Sequence, residues 1–168
     1  MDREIQVRGM HGAVSLMECD LADETATGQI AARLAGCVAK GDVIALSGGL
    51  GAGKTAFARA LINALPGGAE EVPSPTFTLV QTYDRGELCV YHFDLYRIEI
   101  PDEVFELGID DAFSDGVSLI EWPERMGRLL PERALTLRLS ISGPTARHLS
   151  ILGGDAWRAR LERAFGHG

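Results

Sequence analysis

The sequence predicts an α/β fold in one domain over residues 1–168, with a mixed parallel and antiparallel sheet and helices on both faces. Three observations predict this class. The apolar run Val43–Leu46 precedes a glycine-rich turn and a helical pattern, as a strand covered on both faces does when it leads into a helix. Two strand-like segments between 77 and 93 flank a short turn, which is typical of an antiparallel hairpin. After residue 101, short helical and strand patterns alternate again.

The first half of the chain alternates between strand and helix patterns. In order, we expect a strand at Ala13–Met17, a helix at about 22–39, a strand at Val43–Leu46 and a helix at about 54–65. Asp20 or Asp23 can cap the first helix, because a carboxylate accepts the free backbone N–H groups of a first turn. Gly41 is expected to end it, since glycine accepts the left-handed conformation that follows many helices. The run Pro66-Gly67-Gly68 ends the second helix.

The second half contains shorter segments separated by turn residues. We expect a hairpin of Phe77–Tyr83 and Leu88–Phe93, a short helix at Pro101–Leu107, a strand at Val117–Ile120, a short helix at Pro123–Leu130, an antiparallel pair of Ala134–Ile141 and His148–Leu152, and a final helix at Trp157–Phe165. The run Asp84–Glu87 supplies the hairpin turn, and Gly143-Pro144 supplies the turn of the later pair.

Composition excludes several classes of function. The formal net charge is −8 and 46% of the residues are apolar, which suits a globular core and disfavours unaided binding to nucleic acid. No apolar stretch approaches the roughly 20 residues of a membrane helix, and the N-terminal residues show no secretory signal. The three cysteines lack metal-ligand spacing, so we interpret them as small apolar residues in a reducing compartment. These features predict a cytoplasmic protein.

The strongest motif is the run Gly48–Thr55, which satisfies the phosphate-loop pattern GxxxxGK[ST] between an apolar strand and a helix. Glycines let successive backbone N–H groups converge on phosphate oxygens, and the helix adds its own free N–H groups. Lys54 can reach the β- and γ-phosphates, and the Thr55 hydroxyl can bind Mg²⁺. The pattern predicts a P-loop NTPase-like fold with ATP and Mg²⁺ as ligands. The nucleotide-binding residues expected here are Gly48, Gly49, Leu50, Gly51, Ala52, Gly53, Lys54, Thr55 and Ala56.

Acidic residues follow two later strands. Asp94 comes directly after Cys89–Phe93, and Glu121 directly after Val117–Ile120. If those strands run parallel to Val43–Leu46, both carboxylates emerge at the edge that carries the phosphate loop. An acid in this position is also common as a loop or cap residue, and the pattern does not decide which of the two binds the metal directly.

The segment Pro73–Thr78 connects the helix after the phosphate loop to the hairpin. Its Thr76 hydroxyl can approach the γ-phosphate, as ordered switch loops do in nucleotide-dependent proteins. The two prolines can equally serve only to stiffen a connection, and spacing alone favours neither interpretation.

Four motifs occur in order along the chain. They are Leu50–Thr55 (LGAGKT), Ser74–Val80 (SPTFTLV), His92–Arg97 (HFDLYR) and Ile120–Glu124 (IEWPE). The first is generic, but the other three together closely resemble the TsaE family, the small ATPases of bacterial tRNA threonylcarbamoyladenosine biosynthesis. The resemblance runs from about Leu21 to Glu124.

The resemblance implies an Mg-dependent ATPase, slow in isolation, that acts with the TsaB and TsaD proteins. That pair installs a threonylcarbamoyl group on adenosine 37 of tRNAs that read ANN codons, and TsaD, not TsaE, transfers the group. ATP binding and hydrolysis by TsaE reset the complex between turnovers in this scheme. A role in tRNA modification would run through partner proteins, as the acidic charge also requires.

The resemblance also implies roles for individual residues. Thr55 and Glu121 correspond to Mg²⁺ ligands, and Asp94 to a Walker-B-like acid that orients water or a metal-bound water. With Lys54, these two acids form the expected catalytic set. The other implied nucleotide-site residues are Thr76 in a switch-like loop, Trp122 beside the nucleotide, and Glu24 and Thr27 near the adenine. Without the family, Trp122 is as readily interpreted as a core ring.

Two positions depart from the family pattern, and three rival functions share the loop. Family members often carry Asp at Gly49 and threonine at Ala56, but neither change removes the loop geometry or its N–H groups.

A small-molecule or nucleotide kinase usually needs an arginine-rich lid, and none is obvious after Glu121. A GTPase is disfavoured because no Asn-Lys-x-Asp run is present to read guanine. A non-hydrolysing nucleotide sensor differs little from a slow ATPase.

Overall fold

One seven-stranded sheet forms the centre of the computed structural model, which describes residues 13–166. The strands are β1 (Val14–Leu21), β2 (Val43–Ser47), β3 (Val80–Arg85), β4 (Leu88–Asp94), β5 (Val117–Glu121), β6 (Leu135–Ile141) and β7 (Arg147–Gly153). Their order across the sheet is β1-β7-β6-β2-β5-β4-β3. The β6–β2, β2–β5 and β5–β4 pairs are parallel. The β1–β7, β7–β6 and β4–β3 pairs are antiparallel. The predicted mixed sheet is confirmed.

Helices cover both faces of this sheet. The α-helices are α1 (Glu24–Ala35), α2 (Lys54–Ala64), α3 (Ile109–Asp115) and α4 (Asp155–Phe165), and two 3₁₀ helices span Pro101–Leu107 and Pro123–Leu129. One core joins α1, α2 and α4 to residues such as Leu46 and Leu119. A second core on the other face joins α3 and both 3₁₀ helices to residues such as Val43 and Ile120. None of the helices within 13–166 is long and apolar enough to cross a membrane.

The predicted boundaries of the first strand and helix are wrong. The strand continues to Leu21, and the helix begins after Asp23, whose carboxylate accepts the Ala26 N–H at 2.9 Å. The helix ends at Ala35 and not near 39, because the next N–H groups bond to carbonyls three residues back, which tightens the last turn. The first twelve residues, in which the sequence shows no secretory signal, lie outside the described residues.

One further prediction fails at the hairpin, and one helix before β5 was not predicted. Strand β3 begins at Val80 and not at Phe77, because Leu79 has φ 69° and donates its N–H to the Pro75 carbonyl at 2.7 Å, which forms a turn. Helix α3 was not predicted, since its seven residues are too few for a clear helical period. Its burial of Ile109, with Ala112 one turn later, explains why it forms.

Candidate functional site

The site begins where β2 ends, at the carboxyl edge of the parallel strands. Strand β2 lies between β5 and β6, and its residues Val43–Leu46 are all buried, as a strand with helices on both faces requires. The glycine-rich loop follows and leads directly into α2 at Lys54. Gly48 must be glycine, because a Cβ there would lie 2.5 Å from the Leu139 carbonyl oxygen. Gly53 adopts φ 103°, which a side chain rarely allows.

Lys54 is held as a buried cation inside this loop. Its side chain is 5% exposed, and its Nζ donates to the carbonyl oxygens of Gly48 and Gly49, both at 2.7 Å. Burial lowers the pKa of Lys54, whereas the nearby charge of Glu121 opposes that shift. The Nζ also lies 4.2 Å from the centre of the Trp122 ring. The loop therefore holds the Lys54 ammonium through its own carbonyl groups.

A second group of polar side chains meets at the first turn of α2. The Thr55 Oγ1 lies 2.8 Å from Oε1 and 3.0 Å from Oε2 of Glu121, which ends β5. The Nε2 of His92 on β4 lies 2.7 Å from the same Oε2. Glu121 is 3% exposed and His92 fully buried, so one carboxylate links two strands and a helix inside the protein.

Asp94 ends β4 directly opposite Glu121 in the parallel ladder. Its Oδ2 accepts the Thr76 hydroxyl at 3.0 Å, and its Oδ1 accepts the Tyr96 N–H at 3.0 Å. Thr76 also lies 2.7 Å, between hydroxyl oxygens, from Ser74. The segment that precedes β3 is thus tied to the strand end through Thr76, and its switch-like role stays a prediction.

Trp122 forms one wall of the site in an unusual backbone conformation. Its φ is 59°, in the left-handed region that bulky residues rarely occupy. Its ring lies 4.9 Å from that of Tyr96, centre to centre, and covers the Lys54 ammonium. Local strain of this kind persists where the surroundings hold it, which is common at binding sites.

Most of the predicted site residues line one cavity of about 410 Å³. They are Glu24, Leu50, Gly51, Gly53, Lys54, Thr55, Ala56, Thr76, Asp94, Glu121 and Trp122. Gly48, Gly49 and Ala52 belong to the loop but do not line the cavity. Thr27 does not line it either, because its hydroxyl turns back to the Asp23 carbonyl of α1 at 3.4 Å. The functional roles of all these residues stay predictions.

Sequence reasoning missed four residues that belong to this region. Ser74, Tyr96 and Arg147 line the cavity, and His92 contacts Glu121 beneath it. Arg147 begins β7 and donates to the Gly51 carbonyl at 3.2 Å. The two residues are 96 positions apart in the sequence, so no local pattern predicts this contact. The sequence offered a signal for Ser74, His92 and Tyr96, which lie within the motifs Ser74–Val80 and His92–Arg97. It offered none for Arg147.

The fold and the site together define an α/β protein of the P-loop class: a central parallel strand, a glycine-rich loop, and a helix that opens with Lys54-Thr55. The chain belongs to the TsaE family. The model of that family, described as "Threonylcarbamoyl adenosine biosynthesis protein TsaE", matches residues 21–149. The predicted family is therefore confirmed.

Relatives from several bacteria cover most of the chain. A protein from Rickettsia felis is 38% identical over 132 residues, which is 79% of this chain and 77% of the relative. One from Bacillus subtilis is 40% identical over 122 residues, 71% of this chain and 75% of the relative. Both are named tRNA threonylcarbamoyladenosine biosynthesis protein TsaE. The crystal structure of Bacillus subtilis YdiB has a TM-score of 0.76 at 29% identity and covers 92% of this chain and 97% of its own.

Proposed function

We propose that this chain is an Mg²⁺-dependent ATPase required for threonylcarbamoyl modification of adenosine 37 in tRNAs that read ANN codons. It acts with the TsaB–TsaD complex and does not transfer the group itself. The observation that carries the proposal is the meeting of a buried Lys54 cation with the oxygens of Thr55, Glu121 and Asp94 around one cavity.

Phosphate binding follows from the loop and the helix behind it. The first turn of α2 has backbone N–H groups without helical partners, and these donate to anions. Lys54 adds a charge that is already desolvated, so its hydrogen bonds to phosphate oxygens are strong. Glu24 and Arg147 also line the cavity, and we place the adenine near Glu24.

The donor set fits a magnesium ion. Thr55, Glu121 and Asp94 offer only hydroxyl and carboxylate oxygens, the hard ligands that Mg²⁺ takes in preference to nitrogen or sulfur. When bound with ATP, the ion neutralises charge on the phosphate oxygens. Glu121 accepts a hydrogen bond from the Thr55 hydroxyl, which would leave a lone pair of the Thr55 oxygen free for the metal. Asp94 orients water, and Thr76 holds Asp94 in place.

The tRNA role rests on the names of the relatives and on charge. The relatives are named for tRNA threonylcarbamoyladenosine biosynthesis, and this chain carries a formal net charge of −8. An acidic protein gains little from contact with phosphate backbones, so we place its contribution in partner proteins. Slow hydrolysis by the isolated chain and stimulation by TsaB–TsaD are part of the proposal.

Multi-turnover reconstitution tests the proposal. Substrate tRNA, the cognate TsaB–TsaD pair and a source of threonylcarbamoyl-adenylate are combined with ATP, with and without this chain. We expect several rounds of modification only with the wild-type chain, none beyond the first with Lys54→Ala, and wild-type yield with Glu18→Gln, a control on β1. Equal yields with and without the chain would reject the role. ADP formed only when a nucleoside monophosphate is added would indicate a kinase instead.

A further inference from the structure

A histidine lies directly beneath the carboxylate of Glu121. Along β4, Val90, His92 and Asp94 share the face that α2 covers, because side chains alternate along a strand. His92 is fully buried, and a position covered on both faces normally holds an apolar residue. A buried polar ring at such a position needs an explanation beyond packing.

The hydrogen bonds define what the ring does. An ionised carboxylate has no proton to give, so the His92 Nε2–H donates to Oε2 of Glu121 across their 2.7 Å separation. The other ring nitrogen, Nδ1, has no hydrogen-bond partner among residues 13–166. A neutral ring therefore leaves a lone pair without a donor, which is a cost that leucine at this position would avoid.

We propose that His92 is a positioning residue, which fixes the Glu121 carboxylate so that it can serve a metal ion held with Thr55. This inference rests on the proposed function. Glu121 accepts from two sides, from Thr55 on α2 and from His92 on β4, and these two contacts set the rotation of its carboxylate. Ligands whose outer partners are removed typically lose about 10–100-fold in metal affinity.

A purely structural role predicts something different. A hydrogen bond between β4 and β5 would stabilise the sheet, and its loss would lower stability without changing how strongly Mg²⁺ improves nucleotide binding. The two roles separate when ADP affinity is measured twice, with Mg²⁺ and with EDTA, and the ratio of the two values is compared between variants.

Three substitutions of His92 form the test. His92→Gln places an amide N–H near the position of Nε2, His92→Asn has the same chemistry but falls short of Glu121, and His92→Leu removes the donor. Ser118→Ala is the control, because Ser118 is buried, its Oγ has no hydrogen-bond partner in residues 13–166, and it lies on β5 opposite Tyr91. Its side chain faces away from Glu121 by strand alternation.

We expect the Mg²⁺-dependent gain in ADP affinity to fall about tenfold in His92→Leu and His92→Asn, and to stay within about threefold of wild type in His92→Gln and Ser118→Ala. Metal-free ADP affinity should be unchanged in all four. If His92→Leu fails to fold, the Asn and Gln variants still decide the matter. If the ratio of ADP affinity with Mg²⁺ to ADP affinity with EDTA is the same in His92→Asn and His92→Gln, the inference is overturned. A wild-type chain that binds ADP no better with Mg²⁺ would overturn the proposed metal site as well.

Discussion

Two histidine–carboxylate pairs of nearly equal length lie in different parts of the same sheet. His92 and Glu121 join β4 to β5 at 2.7 Å, and His148 and Glu18 join β7 to β1 at 2.6 Å. The first pair is 0% and 3% exposed, whereas the second is 39% and 52% exposed. The first lies below the glycine-rich loop, and the second lies at the sheet edge beside Ser150 and Asp20.

Burial and neighbours, and not the length of the contact, separate these pairs. Water and salt screen the exposed pair, so its contribution to stability is small. Glu121 is 3% exposed and shares its oxygens with Thr55 of α2, so the loss of a partner is costly there. The comparison teaches that contacts of nearly equal length can differ in burial and setting: only the His92–Glu121 pair is desolvated and joined to a helix at the end of a parallel strand.

The largest expected effect is the loss of Glu121. In Glu121→Ala, Mg²⁺-dependent ATP turnover should fall about 1000-fold, because metal stabilisation of phosphate charge is worth several kcal/mol. ATP binding should be partly retained. The free energy of unfolding should fall by about 1–3 kcal/mol, since His92 and Thr55 lose their acceptor.

Glu18→Ala is the matched change at the exposed pair. It should leave turnover at the wild-type level and shift Tm by no more than about 3 °C. Steady-state ATPase assays and thermal unfolding measure both variants. Unchanged turnover in Glu121→Ala, or an equal loss of stability in Glu18→Ala, would break the distinction between the two pairs.

Lys54→Ala should weaken ATP binding about 100-fold. Each hydrogen bond from a charged group contributes about 1.5–3 kcal/mol, and Lys54 is already buried at the loop. Isothermal titration with ATP measures the change, and an affinity within threefold of wild type would contradict the role of Lys54. Lys40→Ala, an exposed lysine before β2, is the control and should bind ATP as wild type does.

A smaller effect is expected at the edge of the buried region. Thr76→Val keeps the shape of the side chain but removes the hydrogen bond to Asp94, so turnover should fall about fivefold, the equivalent of about 1 kcal/mol. A wild-type rate in this variant would show that Thr76 has no part in the reaction. The segment before β3 would then be interpreted only as a stiff connection.

The smallest effect is a pH dependence of the exposed pair. Hydrogen bonds to Asp20 and Glu18 raise the pKa of His148 above its ordinary 6.5, so its stabilisation is complete below pH 6.5 and is lost as pH rises through the raised value. Hydrogen bonds from Ser150 and His148 lower the pKa of Glu18 below 4.5, so its stabilisation is present above pH 4.5 and is lost as pH falls.

Both contributions are therefore present together between pH 4.5 and 6.5. The difference in Tm between wild type and His148→Gln should be largest in that window and should shrink in 0.5 M salt, which leaves a Debye length of only about 4 Å. A difference that keeps growing above pH 8 would contradict the sign of the His148 shift.

Local patterns predicted the parts of the fold that local forces determine. The apolar run of β2 and the turn residues of the hairpin located the central strand and the β3–β4 pair. The predicted strand start at Phe77 and helix end at Gly41 were wrong because hydrogen bonds that the pattern does not reveal decide them. Local turns end the helix at Ala35 and delay β3 to Val80. Long-range bonds from the Asp94 N–H to the Leu79 carbonyl and from the Gly41 N–H to the Gly116 carbonyl add to them.

The residues of the site likewise fall into those that local sequence patterns predict and those that depend on long-range contacts. The loop Gly48–Thr55 has its own sequence pattern, and the acids at the strand ends follow from the α/β arrangement. His92 and Arg147 reach their partners across 29 and 96 residues of sequence, and their contacts depend on which strands become neighbours. The order of strands across the sheet follows from long-range pairing, which local sequence patterns do not encode.

A crystal structure with a non-hydrolysable ATP analogue and Mg²⁺ tests the central claim most directly. We expect phosphate oxygens within hydrogen-bond distance of the backbone N–H groups of Gly51–Thr55, Lys54 on the β- and γ-phosphates, and the ion against the Thr55 hydroxyl. An analogue bound at another place, with the loop free of phosphate at saturating concentration, would contradict the account.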